Sequence, residues 1–488
     1  MATASVPRAR SGDAIHLLIL GLGLAVIILA AETGSEAGLL LAVTMFCSVL
    51  IAFAAVAASR NADVSFFLLV PSVMSAFQNV YLSPFAHEIP QSALQVVIIT
   101  NFIYSLLLLF TLAGIRTTGF DPRQQRAARV TLGVLVVIVL FGTALMLVSG
   151  NNIVGALASA RNLVAPMLFF LLGYYATAFV DFHYYLRLVV SLGWVVLAFA
   201  IVEYLVPDFW PAIGLHHLWE LKGIAVTENS LLPRNFYASE QIEAGTFIRR
   251  MAGPFADPVN FGTFLFALLM VAWFLRSRVL FLASIVASVL VVSKGALLGL
   301  LAFGTVWARK FRSAFEFVLV GVVTVAAGLY FYAFTQSSST GSTTAHINGL
   351  IAAFVELPRH PLGRGFGGTG VLAGLFADEA AEGGSAIVES GLGSVIGQLG
   401  IPGLIGYIVF FAMIIRSVHR IQDVRVYVLG MSLALAFILN AAFNEVALSP
   451  NSCAIYFIVL GLIVASSDEA RGGGAAGARA LAFPSSVR

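Results

Sequence analysis

The residues of this chain that can do chemistry are few and unevenly placed. Arg249 and Arg250 stand directly before Met251-Ala-Gly-Pro-Phe-Ala-Asp-Pro-Val-Asn260, Lys294 lies between two short apolar segments, and Arg161 follows Asn151 and Asn152. Guanidinium and ammonium groups gathered at one surface form a receptor for a polyanion, and a forked guanidinium matches phosphate oxygens two at a time. Arg364 sits within His360-Pro-Leu-Gly-Arg-Gly-Phe-Gly-Gly-Thr-Gly370. Its glycines allow either close backbone approach to a phosphate or a tight turn back to a membrane. Two residues have the chemistry of a base. Glu389 stands at the edge of an apolar segment, where partial removal from water suits a carboxylate to base catalysis near neutral pH, or where it serves as an interfacial anchor. His346 opens an expected helix, where an imidazole acts as a base, a phosphate contact or a solvated cap. His216 and His217 have no neighbours in sequence that complete a metal or catalytic set. No Asp-x-Asp triplet occurs in the long loops, which agrees with chemistry in which Arg and Lys stand in for a divalent ion; neither a metal nor a cofactor is expected.

The elements that must position these groups are transmembrane helices. The chain has 488 residues, 59% hydrophobic and 10% charged, against about 25% charged in soluble domains. Apolar runs recur from His16 to Ser466, and about 20 such residues cross about 30 Å of hydrocarbon. The runs place spans near 16–31, 38–58, 64–82, 93–114, 130–149, 162–180, 188–206, 258–275, 279–292, 295–308, 313–334, 393–415, 426–446 and 453–466. The stretch 279–308 reads as two short helices and not one long one. Arg276 and Arg278 precede it, Arg309, Lys310 and Arg312 follow it, and cytoplasmic loops collect positive charge. The fold class is therefore all-α, a polytopic membrane protein of about 14 spans with both termini cytoplasmic. No cleavable signal peptide is expected.

That topology puts nineteen of the 27 Lys and Arg residues on the cytoplasmic side. Arg161, Lys222, Arg234, Arg249, Arg250, Lys294, Arg359 and Arg364 fall outside. The division is a tail at 1–15, one membrane domain at 16–466 and a disordered cytoplasmic tail at 467–488, rich in glycine. Two long outer loops, 207–257 and 335–392, carry most of the chemistry. In the second, Ile347, Leu350, Ile351, Phe354 and Val355 form one stripe at helical spacing after Thr344, stopped by Pro358. The spacing predicts a short amphipathic helix lying in the interface plane. Trp210, Trp219, Phe236, Tyr237 and Phe247 offer flat stacking faces, or an aromatic belt. Cys47 and Cys453 lie in apolar segments as packing residues.

Four stretches, in this order, resemble the O-antigen polymerase and O-antigen ligase superfamily of bacterial envelope glycosyltransferases. They are Arg250 through Asn260, Val292-Ser-Lys-Gly-Ala-Leu-Leu298, His346 through Gly367, and Glu389-Ser390 with Gly397-Gln-Leu-Gly-Ile-Pro-Gly-Leu-Ile-Gly406. The resemblance implies transfer of a glycan from undecaprenyl diphosphate to a sugar hydroxyl at the periplasmic face of the cytoplasmic membrane, metal-independent and inverting. It makes Arg250 a diphosphate ligand, with Lys294 where an arginine is usual; Arg161 and Arg364, by their own outer placement, are expected as further cations for the diphosphate. The ligases carry a His-Asn pair where this chain has Glu389-Ser390, which points to the polymerase or exopolysaccharide branch, with Glu389 as base and His346 as the alternative. The implied partners are a lipid-linked glycan, membrane lipid and a chain-length regulator, and no nucleic acid. A ligase acting on lipid A-core is the alternative within the family, and a flippase of lipid-linked oligosaccharide the alternative from another class. Against transport, Glu203 and Glu445 lie near the outer ends of their helices, and no internal repeat is visible.

Overall fold

The computed structural model describes residues 11–32, 36–116, 125–227, 230–237, 249–308, 340–370 and 390–471, with positions 318, 321, 322, 326 and 329. The described residues form an all-helical protein with two isolated β-bridges, Val226 with Pro233 and Tyr237 with Arg249. The helices are α1 (Ser11–Glu32), α2 (Glu36–Ser59), α3 (Ser65–Leu82), α4 (Gln91–Arg116), α5 (Arg126–Ser149), α6 (Ile153–Ala176), α7 (Phe182–Leu205), α8 (Phe209–Ala212) and α9 (Leu215–Leu221). They continue with α10 (Pro258–Phe274), α11 (Arg278–Val291), α12 (Lys294–Ala308), α13 (Thr340–Glu356), α14 (Gly391–His419), α15 (Val424–Phe443) and α16 (Pro450–Arg471).

Nine of the described helices are long and apolar enough to cross a membrane, and four shorter apolar ones lie at Ile19–Ala31, Pro258–Phe274, Arg278–Val291 and Lys294–Ala308. Each matches an expected span, although α6 starts nine residues before the expected 162. Asn152 moves that start, because its side chain caps the backbone N–H groups of Val154 and Gly155. Of the span expected at 313–334 the described positions are five, all helical. Helix α16 runs to Arg471, five residues into the stretch expected as tail. Exposed Leu22, Leu29, Leu41, Met45, Val137, Leu140 and Leu147 put bare apolar faces on α1, α2 and α5, the surface a lipid solvent requires.

The stretch 279–308 is two helices. The chain breaks at Val292, in the left-handed region at φ 50°, followed by Ser293. Gly262 near the start of α10 meets Val291 and Ser293, while Trp273 near its end meets Phe303 edge to face. So α11 runs antiparallel to α10 and α12 runs parallel to it.

Helices α6 and α16 run parallel at the centre, because bare backbone lets them approach. A Cβ on Gly173 would strike the Ile458 carbonyl, and one on Gly461 the Phe170 carbonyl. Tyr174 on α6 donates to Asp468 on α16 at 3.2 Å, closing the far end of the pair. At the opposite end lie the starts of α6, α10, α12, α14 and α16 and the ends of α3, α5, α7, α11 and α15. All of the described candidate chemistry is on this loop end.

Candidate functional site

The adjacent arginines 249 and 250 part company. Arg249 turns inward to Glu203 of α7, at 2.7 Å, and the fully buried Glu203 also accepts the N–H groups of Ala252 and Gly253 at 3.2 Å each. This pair holds the loop to the bundle. Arg250 turns the other way and donates to the carbonyls of Asn235 at 2.9 Å, Val291 at 2.9 Å and Val292 at 3.4 Å. Its guanidinium thereby joins the first long loop to the turn that leads into Lys294. Burial lowers the Arg250 pKa to about 10, with Asp257 pulling the other way.

Asp257 is the N-cap of α10, followed by Pro258 at the first helical position. Its carboxylate accepts from Val259 N–H at 3.0 Å, from Asn235 Nδ2 at 3.3 Å and from the Asn260 amide. Burial pushes its pKa up, while those hydrogen bonds and Arg250 push it down. Asn260 in turn accepts from Ser449 at 3.0 Å and from Ser452, tying α10 to the start of α16.

Lys222, just after α9, donates to Asn79 Oδ1 at 2.9 Å and lies 4.9 Å from the Trp219 ring centroid. The Asn79 amide donates to the Phe255 carbonyl. Burial lowers the Lys222 pKa to about 8, assisted by the positive charge of Arg161 and opposed by Asp257. Arg161 on α6 donates to Asn162 Oδ1 at 3.3 Å, and its Nε is buried without a hydrogen-bond partner. Arg250 and Lys222 thus approach Asp257 from separate elements, Arg250 through the Asn235 that both bond and Lys222 through Asn79 and the Phe255 carbonyl, and Arg161 adds its charge beside Lys222. Two cations near Asp257, with a third beside Lys222, leave positive charge in excess, which is chemistry suited to an anion.

Arg364 belongs to a different group. Its guanidinium meets Glu356 of α13 at 3.4 Å, and Glu356 also meets Arg359 at 2.9 Å. The glycine-rich stretch is a turn docked on α14, with the N–H groups of Arg364 and Gly365 donating to the Gly397 and Gln398 carbonyls at 3.0 and 2.9 Å. Asn151 donates to the carbonyls of Arg364 and Phe366 at 2.8 and 2.9 Å. A kink receives the turn: Gly400 adopts φ 57°, ψ −148°, and a Cβ there would strike the Pro361 carbonyl.

His346 lies half-buried on α13, which begins at Thr340, four residues before Thr344, after which the helix was expected. Of the expected stripe, Ile347, Ile351, Phe354 and Val355 are exposed, while Gly349 and Ala353 face the protein. Lys294 opens α12. Glu389 lies outside the described residues; next to it, Ser390 caps α14 by accepting from Gly393 N–H at 3.0 Å and donating to the Ala442 carbonyl at 2.6 Å.

Lys222, Asp257 and Asn79 were missing from the expected site. Lys222 was visible as one of eight outer cations, and Asp257-Pro258 has the signature of a helix start. Asn79, inside an apolar segment, gave no signal. His217 does acquire neighbours, His216 at a ring distance of 3.9 Å, His87 at 6.2 Å and Glu220 at 3.5 Å. Among the described residues no group of three or more His, Cys, Asp or Glu is arranged to hold a metal. A scan against protein-family models and a search of curated proteins find no match to this chain.

Proposed function

We propose that this protein is a polysaccharide polymerase of the bacterial cytoplasmic membrane, with about 14 spans and its loop end facing the periplasm. It transfers a growing glycan from undecaprenyl diphosphate to a sugar hydroxyl of a lipid-linked repeat unit, with inversion and without a metal. The observation that carries the reading is the excess of positive charge at the start of α10, where Arg250 and Asp257 both bond Asn235, Lys222 reaches the Phe255 carbonyl through Asn79, and Arg161 acts on Lys222. A lipid-linked diphosphate presents a dianion at the depth of the membrane surface.

In this reading the acceptor oxygen attacks the anomeric carbon and the bond to the diphosphate oxygen breaks. The leaving diphosphate takes the electron pair, and the cations meet its growing charge. Charge stabilisation of this kind contributes several kcal/mol. The acceptor proton passes to Glu389, or to His346, and a positioned base adds roughly 10² to 10⁴ fold. Lys294 is a further cation of the donor path, and a chain-length regulator is the expected protein partner.

The test is purified protein in detergent with undecaprenyl-diphosphate-linked repeat units. Glycan lengthening with release of lipid diphosphate is the expected result. Movement of the intact lipid-linked glycan across a liposome bilayer, without lengthening, overturns the reading in favour of transport.

A further inference from the structure

A pocket of about 220 Å³ opens between α13, the Pro361–Gly370 turn and α14. Ala353 and Ile396 give it apolar walls, while Glu356, His360, Arg364 and Thr369 supply polar groups. It is smaller than the ~300 Å³ at which drug-sized sites begin, so it suits one ring and not a chain of them.

Thr369 is the informative residue. It is 6% exposed, and its Oγ1 is buried with no hydrogen-bond partner among the described residues. The frame around it is rigid: Gln398 Nε2 donates to the Thr369 carbonyl at 2.8 Å, and Gly367 N–H donates to Gln398 Oε1 at 3.0 Å. Gly397 leaves the space for the hydroxyl, since a Cβ there would stand 2.6 Å from Oγ1. A buried hydroxyl without a partner is costly, and a ligand that pairs with it recovers that cost.

The neighbouring charges favour a neutral, hydroxyl-bearing ligand. Arg364 and Arg359 both meet Glu356, so the guanidinium charge facing the pocket is already answered by a carboxylate. What remains is a fixed acceptor beside a fixed donor above apolar walls. Vicinal hydroxyls engage the first two, and the C–H face of a pyranose covers the walls.

We infer that this pocket binds one pyranose ring of the acceptor glycan through its hydroxyls, with Thr369, Glu356 and Arg364 as the hydrogen-bonding groups. Its role as acceptor subsite rests on the polymerase reading; its affinity for a sugar does not. A short path of contacts links it to the cations. A Cβ on Gly370 would lie 2.7 Å from Glu445 Oε1, and Ser449, four residues on, bonds Asn260 beside Asp257.

The test uses the full chain in detergent without any lipid-linked donor. Methyl glycosides of glucose, galactose, N-acetylglucosamine and glucuronic acid are titrated by saturation-transfer NMR, with inorganic phosphate as the anion control. At least one glycoside is expected to bind saturably, about fivefold or more weakly in Thr369→Val and within about twofold of wild type in Thr369→Ser. Glu356→Gln, at a half-exposed position, is expected to weaken binding similarly and serves if Thr369→Val fails to fold. No glycoside binding, binding of phosphate alone, or unchanged binding in folded Thr369→Val and Glu356→Gln overturns the proposal. Sugar binding by a chain that lengthens no glycan would overturn the polymerase reading and leave the pocket standing.

Discussion

Lys222 donates to Oδ1 of Asn79 at 2.9 Å across 143 residues of chain, fastening the loop after α7 to the last turn of α3. The same ammonium feels Arg161 and Asp257, so a hydrogen bond that folds the loop also places a cation within reach of that carboxylate.

With its pKa near 8, Lys222 loses its charge as pH rises through that value. Donor KM for the wild type is expected to rise above about pH 8, and Lys222→Arg to flatten the profile because guanidinium stays charged. Stability moves oppositely. The folded value is below the ordinary 10.5, so the unfolded chain holds the extra proton between about 8 and 10.5, and this group's contribution to stability increases with pH across that window. A donor KM independent of pH in the wild type would remove Lys222 from the site.

Arg250→Ala is expected to lower the rate of glycan lengthening about 10² to 10³ fold, the scale of losing one preorganised charge donor. Arg250→Lys keeps the charge but cannot reach three carbonyls together, so it should recover only part of the rate. Wild-type lengthening by a well-inserted Arg250→Ala protein would exclude the residue.

Glu389→Gln is expected to cost about 10² to 10⁴ fold in lengthening while leaving donor affinity unchanged, as for loss of a base. If His346→Ala shows that pattern instead, the base is His346.

Glu203→Ala strands Arg249 and two backbone N–H groups, and breaking a buried pair in this way costs about 3–5 kcal/mol. Glu203→Gln, whose amide oxygen still accepts from Ala252 and Gly253, should cost less. Thermal unfolding in detergent orders the two, and equal midpoints for wild type and Glu203→Ala would refute the structural role.

Gly461→Val pushes a branched side chain into the Phe170 carbonyl and should cost about 1–3 kcal/mol or more. Gly133→Ala, where a Cβ meets nothing within 4 Å, is the control and should leave the unfolding midpoint in place.

The helices were legible because a span advertises itself locally: twenty apolar residues between polar breaks need no partner to be recognised. Charge alone divided 279–308 correctly, and the break falls at Val292–Ser293. The start of α6 was misjudged because Asn152 draws the helix back over Gly155, Ser159 and Arg161, which are too mixed in polarity to read as a span. The same limit applies to the candidate site. Arg161 and Arg250 were legible as outer cations, but nothing in the spacing separates Arg249, which meets Glu203, from Arg250, which does not. Arg364 had the composition of a phosphate ligand, and its partner Glu356 eight residues earlier gave no sign.

The amino-acid sequence by itself determined that this is a polytopic helical membrane protein and that its scarce cations cluster in a few connecting segments, because burial in lipid is a property of each segment alone. Only the tertiary structure decided that Lys222 lies within reach of the charges of Arg161 and Asp257, and Arg250 of Asp257, while Arg364 is drawn away to Glu356. Those outcomes depend on which helix ends meet, and that is settled by close-packed contacts such as Gly173 with Ile458 and Asn79 with Lys222 between residues distant in the chain.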